Sequence, residues 1–113
     1  MDLIEVAIIC RAIRNQRLLR FEHGGLERIV APYCVGISNK DSGVLRAIQV
    51  RGSSTRNGFN FGKLWSISQM RNSVVLGEAF EPDDPAYNPE DSAMKIILSR
   101  VDKRSQRTQS TPG

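Results

Sequence analysis

The chain has one histidine, His23, two cysteines, Cys10 and Cys34, and no Cys-x-x-Cys pair. A structural zinc site needs four tetrahedral ligands, usually from Cys and His, so a Cys/His metal centre is excluded. Both cysteines sit inside apolar runs, which makes them small buried hydrophobes rather than reactive thiolates. No apolar run is long enough to span a bilayer. The run Val6 to Ile9 is too short for a signal-peptide core, acids precede it, and Arg11 and Arg14 follow. The cytoplasm is therefore the expected compartment. A Walker pattern is missing too, and Gly24-Gly25 reads as a turn rather than a phosphate loop. The carboxylates Asp83, Asp84, Glu90 and Asp91 cluster in a Pro-rich stretch and read as a solvated turn. General acid catalysis needs a carboxyl in a shaped, partly dry pocket. Neither an enzyme nor a metal or cofactor is expected.

What is present is enough for one domain. The 113 residues are 40% hydrophobic, which supports a folded core of modest thickness. Sixteen basic against twelve acidic residues give a net charge of +4, a mild bias towards anionic partners. Twelve of the sixteen are arginine, which meets phosphates with a bidentate fork and stacks on bases better than lysine does.

Along the chain, residues 2–15 read as one helix, with Leu3, Val6, Ala7, Cys10 and Ile13 at helical spacing and Ile4, Ile8 and Ile9 widening the stripe. Arg17 to Glu22 reads as a strand, His23-Gly24-Gly25 as a hairpin turn and Glu27 to Ala31 as the return strand. Pro32 marks an edge, bend or break, after which Tyr33 to Ile37 continues extended. A turn at 39–43 precedes the clearest strand, Val44 to Arg51, in which Arg46 is the odd residue among Val44, Ile48 and Val50. Further strands are expected at Phe59 to Ile67 and Val74 to Phe80, with a short connection over Ser66 to Arg71. Asn88-Pro89-Glu90-Asp91 resembles a helix start, and Met94 to Val101 fits helix or strand. These elements predict a mainly β, α+β domain over residues 1–101. In it an N-terminal helix docks on about five short strands in a small bent sheet or barrel. Residues 102–113 compose a polar, basic tail with the composition of a disordered segment.

The stretch AIRNQRLLRFEHGGLERIVAPYCVGISNKDSGVLRAIQVRG resembles the opening of a bacterial WYL domain, through its helix, basic strand, glycine turn, Arg28-x-x-x-Pro32 segment and Val44-Leu45-Arg46-Ala47 strand. The segment KLWSISQMRNSVVLGEAFEPDDPAYNP resembles the later aromatic-Arg-x-Asp-Arg-Ile stretch of that family and the strand ending in Phe. The likeness runs over roughly residues 4 to 90. Gly43-Val44-Leu45 stands where the family has Trp-Tyr-Leu, and Ser66, Ser68 and Gln69 stand where it has Arg, Asp and Arg. The resemblance implies an SH3-like or Sm-like barrel that senses ligands in transcription regulation or defence. The family's arginines associated with ligand contact are the ones replaced at Ser66 and Gln69, so the resemblance does not carry binding over there, and Arg28, Arg46 and Arg51 are the candidate substitutes.

The candidate ligand set is Arg28, Tyr33, Arg46, Arg51, Lys63, Trp65 and Gln69. A groove of these arginines and Lys63, with Trp65 or Tyr33 to stack a base, would hold single-stranded nucleic acid or a nucleotide. The alternatives are that both aromatics are core residues and that Arg46 makes a structural ion pair with Glu27 or Glu78. A protein-interaction or dimerisation module acting on a larger effector is the other functional expectation.

Overall fold

Glycine chemistry and one proline set the strand layout. The computed structural model describes residues 3–52, 64–82, 84 and 87–102. It begins with a helix, α1 (Leu3–Arg14), followed by β1 (Arg17–His23), β2 (Leu26–Ser38), β3 (Gly43–Gly52), β4 (Leu64–Ser66), a single 3-10 turn (Ile67–Gln69), β5 (Met70–Ala79) and β6 (Met94–Arg100). The strands form one antiparallel sheet in the order β4-β3-β2-β1-β5, with β6 pairing β2 off that path. Among the described residues no ladder joins β4 to β5, so the sheet is not closed into a barrel.

The β1–β2 loop is the two glycines Gly24 and Gly25, both at positive φ (62° and 76°), the backbone that a tight hairpin with native twist demands. Pro32 does not break the return strand: β2 is one strand of 13 residues. One of its edges runs along β3, while the other is shared. Residues 26–30 pair with β1, and residues 34–38 with β6. Proline has no N–H to give a ladder, and Pro32 falls in the gap between the two partners. Beyond it, β6 crosses so close that a Cβ on Gly36 would fall inside contact distance of the Ile96 carbonyl oxygen and the Met94 sulfur.

The strand expected from Val74 starts earlier, at Met70, and passes through a bulge. Asn72 takes φ 57°, the β1–β5 register slips between Arg20 and Glu22, and the Asn72 amide donates to Glu22 Oε1 at 3.1 Å. Asn88–Asp91 opens no helix. Asn88 Oδ1 accepts the Glu90 N–H and Asp91 Oδ1 the Ala93 N–H, each at 3.0 Å, making two local turns. The apolar stretch that follows becomes a strand because the open half of β2 supplies its ladder. Of the strand expected at Phe59 to Ile67, only Leu64–Ser66 is strand, and 59–63 lie outside the described residues, as do 103–113.

The helix buries Val6, Ile9, Ala12 and Ile13. Leu3 and Ile4, at the start of the expected stripe, are each 73% exposed. The sequence is apolar nearly all round this helix, so packing on the sheet, not periodicity, chooses the buried face. Two residues past the helix, Gln16 takes the left-handed region at φ 52°, and its carbonyl accepts the Phe80 N–H at 3.0 Å and so fastens the end of β5. Ile9, Ile13, Leu19, Phe21, Val30, Val35, Leu45, Trp65, Met70 and Tyr87 form one continuous core. No helix among the described residues is long and apolar enough to cross a membrane.

Candidate anion site

Side chains alternate along a strand, so a polar residue in phase with apolar neighbours is carried into the core. Two such residues meet here. On β3 the buried side chains are Val44, Leu45, Ala47 and Gln49; on the Val44 side burial stops there, with Arg46 and Ile48 half-buried and Val50 exposed. The Val44–Val50 side, apolar by composition, is thus not the main core face, and Gln49 rather than Arg46 is the polar residue on the buried one. On β2, Arg28 lies opposite Phe21 of β1, two residues from Val30 opposite Leu19. This register places Arg28 with Phe21 and Leu19 inside, and it is only 7% exposed.

The Arg28 guanidinium meets neutral groups. Nη1 donates to Gln49 Oε1 and Nη2 to the His23 carbonyl, both at 3.4 Å, the long limit of a hydrogen bond. Among the described residues the buried Nε has no hydrogen-bond partner. Cζ lies 5.5 Å from the centre of the Trp65 ring. Gln49 is held in this orientation by its own amide, which donates to the Arg51 carbonyl at 3.2 Å. Among the described residues Arg28 forms no ion pair. A cation–π contact gives back about 2 kcal/mol when desolvated. An unmet buried donor costs about 1–3 kcal/mol, and more when charged. The site is a nearly enclosed positive charge that the described residues solvate only in part.

Trp65 forms the wall of this site. Phe21 and His23 both meet it edge-on with ring centres 5.2 Å away, at 83° and 86°. At 2% exposure it offers no open face for a nucleobase. Tyr33 is equally buried, against Phe80 and Tyr87 with ring centres 5.6 and 4.9 Å away. Both aromatics are core residues, the alternative reading of the sequence, and neither has an exposed ring face.

The other candidate cations have acids of their own. Arg46 is gripped by Asp91 through Nε–Oδ2 at 2.7 Å and Nη2–Oδ1 at 3.0 Å, with side-chain exposures of 16% and 9%. The expected partners were Glu27 and Glu78; instead Glu27 lies 3.7 Å from Arg20, and Glu78 pairs with Arg51. Asp91, expected in a solvated turn, is buried. The hydrogen bond from Arg46 holds its carboxyl below the usual range, against burial and with help from the Ala93 N–H. Arg51 and Glu78 make an exposed two-bond pair, at 3.0 and 2.8 Å, between strands separated in the sheet by β2 and β1. Gln69 is exposed in the 3-10 turn, and Lys63 lies outside the described residues.

Of the expected set, then, the fold brings together Arg28 and Trp65, adds Gln49, His23 and Phe21, and distributes Tyr33, Arg46 and Arg51 elsewhere. Tyr87 also carried no periodic signal, yet its hydroxyl donates to the Val101 carbonyl at 2.7 Å in the core, and burial raises its pKa. Cys34, with Sγ 3.5 Å from Met94 Sδ, is pushed up to about 11, mainly by burial, which suits an unreactive packing thiol. No family model matches the chain, and neither the curated proteins nor the solved structures contain a match.

Proposed function

We propose that this domain is a ligand-sensing module of the WYL type, on an SH3-like or Sm-like sheet, that captures an anionic group at Arg28. One observation carries the reading: a guanidinium that is 7% exposed, has an unpartnered Nε and has no carboxylate paired with it among the described residues. Buried cations elsewhere in proteins are paired, and an anion entering here would supply the missing charge. The barrel-like reading has its own support. In a flat sheet β4 and β5, four inter-strand spacings apart, would be separated by about 19 Å. Yet only the three residues Ile67–Gln69 connect them, coiled at about 2 Å per residue, so the sheet is curled to bring its two ends together.

A nucleotide or single-stranded nucleic acid would bind through its phosphate, since neither Trp65 nor Tyr33 has a face to offer a base. The test is thermal unfolding of the full chain with a panel of anions at fixed ionic strength. At least one anion should raise the midpoint saturably in the wild type and not in Arg28→Met. Equal rises in both proteins would mean general salt effects and would end the proposal. A protein-interaction role has a separate observation in its favour: Ile96 and Leu98 on β6 are 48% and 43% exposed. Self-association measured by light scattering, abolished by Ile96→Lys, is the outcome that reading requires.

A further inference from the structure

Resting on the anion reading of Arg28, we infer that the group this site accepts is a carboxylate rather than a phosphate. Three observations converge. The first is charge: among the described residues Arg46 is held by Asp91 and Arg51 by Glu78, which leaves Arg28 as the one guanidinium without an acid in the cluster of Phe21, His23, Gln49 and Trp65. A carboxylate cancels one charge, whereas a phosphate dianion would leave an excess negative charge in a place with little water, which is costly. The second is the shape of the available donor. Nε–H lies on the side edge of the guanidinium, the edge that meets two coplanar oxygens with parallel bonds. The molecule already displays that match, since Arg46 uses Nε and Nη2 to take both oxygens of Asp91. On the same edge of Arg28, Nη2 makes only the long 3.4 Å bond to the His23 carbonyl, and the buried Nε is unfilled among the described residues. The third is access. An internal phosphodiester also carries one charge, but it brings a sugar on each side, which a residue 7% exposed does not admit. A carboxylate at the end of a small molecule or of a peptide chain is the smaller group and needs the smaller opening.

The experiment uses the full chain at pH 8, where inorganic phosphate is a dianion. Unfolding midpoints are measured against acetate, a short peptide with a free C-terminus, the same peptide amidated, inorganic phosphate, uridine monophosphate and oligothymidylate, for the wild type, Arg28→Lys and Arg28→Met. Acetate is expected to act saturably, with half-saturation at least tenfold below that of phosphate. Arg28→Lys keeps the charge but loses the edge, and should weaken acetate about tenfold. A free peptide stronger than acetate and an inert amidated one would assign the carboxylate to chain ends; equal effects would assign it to small acids. In parallel, the Arg28 Nε–H proton resonance of the wild type should move downfield with acetate, a readout that survives if either variant fails to fold. A stronger, Arg28-dependent response to phosphate, the nucleotide or the oligonucleotide overturns the carboxylate inference and leaves the anion reading standing. No saturable response to any of them, with an unmoved Nε–H signal, removes both.

Discussion

Each half of β2 carries or adjoins one arginine, Arg28 buried within it and Arg46 half-buried beside it, and the two are treated oppositely. Near the C-terminal half, where Cys34 pairs with Arg46 of β3, the guanidinium is filled by Asp91 from the turn ahead of β6. In the N-terminal half, Arg28 is more deeply buried and meets an amide, a carbonyl and an indole. A cation that the chain neutralises itself is part of the framework. One that it buries and leaves unneutralised is a place where something else can contribute stability. The residue type is the same in both halves; the partner decides the role.

Removing Asp91 should do the most damage. Asp91→Asn leaves Arg46 buried without a counter-charge and is expected to cost about 3 kcal/mol in urea unfolding, the low end for a broken buried pair because both side chains keep some exposure. Acid should reproduce that loss. The Asp91 carboxyl titrates below its usual value in the folded state, so its stabilisation is complete above the ordinary carboxylate pKa of about 4 and disappears as the pH falls through the lower folded value. The stability gap between wild type and Asp91→Asn should therefore be constant from neutral pH down to about pH 5 and close below about pH 4. A gap that closes near neutrality would mean another group is responsible. Gly36→Ala, in the same half, should cost about 2 kcal/mol, because the Ile96 carbonyl is backbone and cannot swing aside.

The N-terminal half should respond differently. Arg28→Met, in buffer free of binding anions, is expected to change stability by less than about 1 kcal/mol or to raise it, since it removes an uncompensated charge and keeps the volume. A loss as large as that of Asp91→Asn would erase the contrast between the two arginines. The smallest effect belongs to the surface pair: Glu78→Gln should leave the unfolding midpoint unchanged within error at moderate salt, because Arg51 and Glu78 are both solvent-exposed.

The helix, the glycine hairpin and the long β3 were legible in the sequence because each rests on a local signal: helical spacing, paired positive φ, period-2 alternation. Pro32 reads as an edge, bend or break in the sequence because nothing local shows that the partner strand changes there. Asn72 hid the start of β5, since a bulge interrupts alternation without ending pairing. Arg28 was among the expected site residues for its place in a motif, not for its burial. Apolar count on β3 points to the Val44–Val50 side and so to Arg46, whereas it is Leu45, Ala47 and Gln49 that alternate as buried residues, a choice made by tertiary packing. Asp91 escaped because its partner is 45 residues away, and no local pattern encodes such a distance.

The shared edge of β2 has a consequence for how the molecule is made. Residues 34–38 acquire their second neighbour only from residues 94–100, near the far end of the described chain. On a ribosome, every other strand partnership can be complete while this stretch still shows bare amides and carbonyls, until the final strand emerges to cover it. A chain cut short before Met94 would keep that ribbon of unsatisfied backbone, next to the apolar Val35 and Ile37, as an adhesive margin for any passing strand.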